Sequence, residues 1–158
     1  TYVYDAAREA GFGHAALDHL IRHWAPMIAD GGTWETFNTP ADPSESRSHA
    51  WSAHPIYHLP RLLGGIVQLD AAWEMVQIAP LVDAHQVRNV EATVPTPHGP
   101  LTVTWRREGR HAHVEADVPA GVPADVVLPK TEDYVSEGLH AWDVALSEDP
   151  VQRENEER

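Results

Sequence analysis

Cysteine is absent from this chain, which removes disulfides, thiolate metal sites and a cysteine nucleophile together. Basic charge is scarce as well. Eleven lysines and arginines stand against 24 aspartates and glutamates, a net charge of −13 with the histidines neutral. Phosphate backbones and anionic headgroups are held by clustered Lys and Arg, so neither a nucleic acid nor a membrane surface is an expected partner. No run of about 18 apolar residues occurs, and no membrane span is expected. A basic-then-apolar leader is also missing; the chain opens at Thr1 rather than Met and reads as part of a longer polypeptide. That leaves the compartment open, with the cytoplasm preferred because no targeting segment is seen. What is present suits a folded protein. The 158 residues amount to about one domain by length, and 42% hydrophobic content with six tryptophans is enough for a core. Thirteen prolines and ten glycines imply many turns.

The first sixty-odd residues and the next eighty follow different periods. Asp5-Ala-Ala-Arg-Glu-Ala10 reads as a short helix from an Asp N-cap to Gly11. Leu17, Leu20, Ile21, Trp24 and Ile28 fall at helical spacing and predict a second helix with one buried face, which Pro26 should end or kink near Ala25. Asp30-Gly31-Gly32 is a turn, followed by a loop rich in proline and serine. A third helix is expected from about Ser52 to Leu63, with Pro60 as a kink. From Gly64-Gly65 onward the period is two. Strands are expected at Val76–Ile78, Val90–Val94, Leu101–Trp105, Ala112–Val118, Asp125–Leu128 and Leu139–Leu146. Val90, Ala92, Val94, Leu101, Val103, Trp105, Val114, Val118, Val126 and Leu128 should share one core, with Thr102 and Thr104 facing away. Short alternating strands between turns predict an antiparallel β-sandwich. The tail 147–158 is polar and expected to fray. About three helices cannot enclose a core alone, so Leu17, Leu20, Trp24, Ile56 and Leu63 are expected to face neighbours that this chain does not supply.

Eleven histidines raise the question of a metal. His19 and His23 share a helix face at the i, i+4 spacing of zinc sites, but Leu20 stands where a zinc protease has glutamate, and no third ligand is apparent. His111 and His113 sit on the solvent side of a strand. No metal or cofactor is expected. The serines between Ser44 and Ser48 lack a glycine-flanked nucleophile elbow, and no glycine-rich phosphate loop follows a strand. Chemistry is densest in Gly31-Gly32-Thr33-Trp34-Glu35-Thr36-Phe37 together with Ser46-Arg47-Ser48-His49-Ala50-Trp51-Ser52-Ala53. Aromatic faces, a carboxylate and a histidine suit a sugar site, where rings stack on C–H patches and one carboxylate can activate water. The same residue types also fit two core tryptophans and a solvated loop acid.

The order of these motifs resembles the end of the catalytic barrel in bacterial α-L-rhamnosidases, glycoside hydrolase family 78. A Trp-Glu pair after a glycine turn is followed there by a Ser-Arg-Cys/Ser-His-Gly/Ala-Trp-Ser segment. Downstream, Ala71-Ala72-Trp73-Glu74-Met75-Val76-Gln77-Ile78-Ala79-Pro80, Val94-Pro95-Thr96-Pro97-His98-Gly99 and Val103-Thr104-Trp105 look like the C-terminal β-sandwich of the family. The resemblance spans about residues 5–145. It implies a six-hairpin helical barrel capped by a sandwich, and cleavage of terminal α-L-rhamnose with inversion. It also implies that Glu35 is the general base and that Trp34 and His49 line the sugar pocket, His49 by bonding hydroxyls. Arg47 and Trp51 look structural, closing the loop. The general acid of the family lies upstream, and nothing here corresponds to it.

The expected fold class is therefore α+β, a multidomain fragment. Residues 1–66 would be the last helices of an incomplete (α/α)6 barrel, 67–146 an antiparallel β-sandwich, and 147–158 a polar tail. The expected partners are a rhamnoside substrate and the upstream part of the same polypeptide, and the piece alone should be inactive. Two alternatives stay open: a carbohydrate-binding sandwich using Trp73 or Trp105, and a six-hairpin glycosidase for another sugar.

Overall fold

The computed structural model describes residues 2–39 and 41–147; the polar tail beyond Ser147 lies outside them. The chain forms two compact units that divide between Leu62 and Leu63, ahead of the boundary expected after residue 66. Among the described residues no helix is long and apolar enough to cross a membrane.

The first unit holds helices α1 (Tyr2–Glu9), α2 (Gly13–Asp30) and α3 (Pro55–Leu62). Helix α1 begins ahead of Asp5, so Asp5 is not its N-cap; its carboxylate instead lies 3.2 Å from Arg61 Nε on α3. Helix α2 also departs from expectation. It runs through Pro26 and stops only where Gly31, at φ 71°, donates its N–H to the Met27 and Ile28 carbonyls. A proline removes one helical hydrogen bond, and the helix continues across that loss as far as Asp30. The buried stripe is Ala16, Leu17, Leu20 and Met27, whereas Ile21 and Ile28 point outward. Tyr4, Ala16, Leu20 and Leu62 make a small buried cluster, flanked by the half-buried Trp24 and Leu59. Of the residues expected to await absent neighbours, only Ile56 is largely exposed; Leu17 and Leu20 are buried and Leu63 packs on the sandwich core. Other apolar side chains are exposed instead: Tyr2, Val3, Phe12 and Ile28 range from 64% to 89%.

The second unit is a two-sheet β domain. One sheet orders β1 (Ile66–Gln68), β2 (Val76–Ile78), β6 (Ala124–Leu128) and β7 (Thr131–Val135); the other orders β3 (Asn89–Thr96), β4 (Gly99–Glu108), β5 (His111–Val118) and β8 (Gly138–Ala145). The expected register is present. Leu101, Val103, Trp105, Val114, Val118, Val126 and Leu128 are buried in one core, Val90 and Val94 lie half-buried at its margin, and Thr102 and Thr104 turn away. Fully burying each such apolar side chain is worth about 1.5–3 kcal/mol, so this core dominates the stability of the unit. The sandwich is not purely antiparallel. β2 and β6 pair in parallel, Val76 opposite Ala124 and Ile78 opposite Val126, which is possible because the chain visits the other sheet between them. Trp105 is 2% exposed and its indole N–H donates to the Leu63 carbonyl at 2.7 Å, while Trp73 packs against the same core. Trp105 therefore offers no face to a sugar, and Trp73 offers only part of one.

Gly65 joins α3 to β1. Its φ is +67°, and a Cβ there would lie 2.1 Å from the Ala79 carbonyl carbon and the Pro80 nitrogen. Only glycine allows β1 to lie so close to the end of β2.

Candidate functional site

The residues singled out by the sequence lie on the segment between α2 and α3. Helix α2 ends at Gly31, and Gly32 lets the chain pass close to the segment that returns; a Cβ on Gly32 would sit 2.5 Å from the Arg47 carbonyl oxygen. Two stretches then run side by side. The His49 N–H donates to the Thr33 carbonyl at 2.7 Å, the Thr33 hydroxyl donates to the His49 carbonyl at 2.8 Å, and the Glu35 N–H donates to the Ser46 carbonyl at 2.8 Å. Residues 33–35 and 46–49 thus form a short ladder, with the excursion 36–45 beyond it. Within that excursion the buried Thr39 donates its hydroxyl to Glu45 at 2.8 Å, and Thr36 donates to the same carboxylate oxygen at 2.5 Å.

In an extended stretch neighbouring side chains point to opposite sides, and this sorts Trp34 from Glu35. Trp34 turns inward and is 8% exposed. Its indole N–H donates to Asp30 Oδ2 at 2.8 Å, and the same oxygen accepts from Arg47 Nη1 at 2.6 Å. An ion pair this exposed contributes about 0.2–1 kcal/mol, so Arg47 trims the loop that the backbone bonds hold. Trp34 is consequently a buried post behind the loop, with little face to offer a sugar. Glu35 turns outward, its side chain about one-third exposed. The Ser46 N–H donates to Glu35 Oε2 at 2.9 Å, and His49 Nδ1 lies 3.8 Å from that oxygen. Glu35 and His49 are therefore brought together; Trp34 is adjacent in sequence but on the other side.

Sequence reasoning read Trp51 as structural, a residue that closes the loop. It belongs to a 3₁₀ turn, Ala50–Ala53, and is 65% exposed. Its indole N–H donates to the Glu35 carbonyl at 3.1 Å, and its ring lies over the His49 ring with centroids 3.8 Å apart. Ser52 beside it donates its hydroxyl to the Trp34 carbonyl. Two consecutive residues of one turn therefore bind the backbone of the Trp-Glu pair. Residue type and spacing gave no sign of which tryptophan would be exposed.

The histidine pairs hold no metal constellation: among the described residues no group of three metal-ligating side chains comes together. His19 accepts or donates at 2.7 Å to the Tyr4 hydroxyl and packs on His23, which stacks on Phe37. His113 lies 2.8 Å from Asp143 and its imidazole is held above the ordinary histidine range, chiefly by that hydrogen bond.

Comparison with known proteins adds family to geometry. No curated protein matches the chain. Residues 65–142 match the family described as the bacterial alpha-L-rhamnosidase C-terminal domain. Among solved structures, the α-L-rhamnosidase of Dictyoglumus thermophilum superposes with a TM-score of 0.78 at 15% identity, covering 91% of this chain and 20% of that one. The Streptomyces avermitilis α-L-rhamnosidase, complexed with L-rhamnose, gives 0.74 at 22% identity over 87% of this chain and 16% of that one. The native Aspergillus terreus enzyme gives 0.67 at 24% identity over 77% and 15%. At these identities the structures speak for the fold, and the chain spans only 15–20% of their length. The family match and the three superpositions converge, and residues 65–142 belong to the bacterial α-L-rhamnosidase C-terminal domains.

Proposed function

We propose that the chain is the C-terminal part of an inverting α-L-rhamnosidase, in which Glu35 is the general base and His49 bonds the sugar hydroxyls. Helices α1–α3 are then the last helices of a six-hairpin barrel, and the exposed Tyr2, Val3, Phe12, Ile28 and Ile56 are the faces other barrel helices cover. The observation that carries the reading is the Glu35–His49 pair. The carboxylate is partly solvated, held at one oxygen by a backbone N–H, and faced by an imidazole 3.8 Å away. A general base must be reached by the water it deprotonates, and a partly exposed carboxylate is open to one.

Inversion requires two carboxyl groups about 6.5–9.5 Å apart with a water between them. Glu35 takes a proton from that water as its oxygen attacks the anomeric carbon, and the departing oxygen is protonated by an acid from elsewhere in the polypeptide. The chain alone is inactive because only one half of the pair is present. Glu35→Gln in the complete polypeptide keeps shape and hydrogen bonding but cannot accept the proton. Rhamnoside kcat should fall by about 10²–10⁴ with little change in KM, and azide should restore part of the turnover by replacing water. Near-normal hydrolysis by the Gln variant would overturn the assignment. Hydrolysis of a different glycoside by the unaltered polypeptide, with rhamnosides inert, would keep the base and change the sugar.

A further inference from the structure

We infer that Trp51, not Trp34, is the aromatic platform of the site, and that the ring it carries is the sugar being cleaved. The inference rests on the reading of Glu35 as base and adds a residue and a position to it. Three observations support it. Trp51 is the most exposed tryptophan among the described residues, at 65%, while the neighbouring Trp34 is at 8%. The exposed ring is fixed in place, since its N–H is engaged by the Glu35 carbonyl and one face is covered by His49 at 3.8 Å between centroids. Those same two residues, Glu35 and His49, are the polar groups of the site. Indole is large and apolar, and a ring held this firmly with one face open offers a preorganised surface for the C–H patch of a pyranose at small entropic cost.

Stereochemistry decides which ring sits there. In an inverting displacement the base holds water on the face of the sugar opposite the leaving group. Trp51 packs on His49, whose Nδ1 lies 3.8 Å from the Glu35 carboxylate that would hold this water, so its ring is beside the water side. It therefore meets the sugar under attack and not the aglycone. His49, sandwiched between Trp51 and the Glu35 carboxylate, is then directed at the hydroxyls of that same sugar.

The test is kinetic and uses the complete polypeptide with two α-L-rhamnosides, one aryl and one carrying a second sugar as leaving group. Trp51→Ala should raise KM about tenfold for both, the equivalent of about 1.4 kcal/mol, with kcat moving far less. Trp51→Phe keeps a flat apolar face and loses only the N–H, so it should recover most of the KM. A KM change confined to one leaving group would place the ring on the aglycone and overturn the inference. So would a fall in kcat that Phe does not rescue, which would make Trp51 a positioning residue acting through the Glu35 carbonyl. Unchanged kinetics in both variants would leave it a surface residue. Glu35→Gln, measured in parallel, separates the two readings: full activity there removes the base, whereas a dead Gln variant beside an unaffected Trp51→Ala removes only the platform.

Discussion

His58 is 1% exposed and sits in a box of rings made by Tyr4, His54 and Tyr57, with Asp5 and Arg61 at its edge. Its Nε2 and the Nδ1 of His54 are buried without a hydrogen-bond partner. Burial therefore holds both imidazoles below the ordinary histidine value, against the pull of Asp5 on His58; His19 is lowered too, by burial and by the nearby His23 and Arg22. All three are neutral in the folded unit. Above about pH 6.5 the unfolded chain is neutral as well and the fold has its full stability. As pH falls below that value the unfolded histidines take up protons first, so stability is lost progressively through the folded pKa values. The thermal midpoint of the helical unit should drop between pH 7 and pH 5, and His58→Gln should flatten that slope while lowering stability at neutral pH. A midpoint that rises on acidification would mean that Asp5, not burial, governs His58. None of this box was visible in the sequence, where the histidines were weighed as metal ligands, as surface groups or, at His49, as a sugar contact. Spacing along one helix cannot reveal that Tyr4 from α1 and His54 and His58 near α3 close on the same point. Glu35 and His49 were legible because they belong to an ordered motif. The exchange of Trp34 for Trp51 was not, because residue type does not say which side of an extended stretch is buried.

At the level of elements, alternation made the long strands readable. β3, β4, β5 and β6 each carry apolar residues two apart, and their buried parity is the one expected. β7 was missed because Thr131-Glu132-Asp133-Tyr134-Val135 lies at a sheet edge and buries only Val135. β1, three residues long, is too short to show a period. The parallel pairing of β2 with β6 has no local signature at all, since partners 48 positions apart leave no mark on either strand. Glycine offers a test at this scale. Gly65→Ala combines positive φ with a Cβ 2.1 Å from backbone atoms that cannot move aside, and should cost the sandwich about 3 kcal/mol or more. Gly109→Ala, at φ +58° but with nothing within 4 Å, should cost only about 1 kcal/mol. Denaturant unfolding of the two variants checks the ranking. Equal losses would mean that the approach of β1 to Ala79 and Pro80 relaxes, and that Gly65 serves the turn alone.

For the whole molecule, the two units should behave differently when separated. The second unit has a closed core in which Ile66, Ile78, Leu101, Val103, Val114 and Val126 are each at most 1% exposed, and residues 63–147 should unfold cooperatively on their own. Residues 1–62 bury few large side chains and expose several, and should aggregate or bind an apolar dye. Sharp, dye-free unfolding of the helical piece would argue that it needs no further helices. The parallel ladder has a consequence in time as well. β2 ends at Ile78 and its partner β6 begins at Ala124, so a growing chain must wait for 46 further residues before that ladder can close. At about 5–20 residues per second the wait is roughly 2–9 s. The β3–β4 and β4–β5 hairpins, which need only local chain, can form within about 10 µs of emerging. Three strands of one sheet, β3, β4 and β5, can therefore be paired while the other sheet is still a ribbon with an open edge at Val76 and Ile78. During synthesis that edge is the vulnerable surface of the protein, and a chain stopped before residue 124 would leave it open for good.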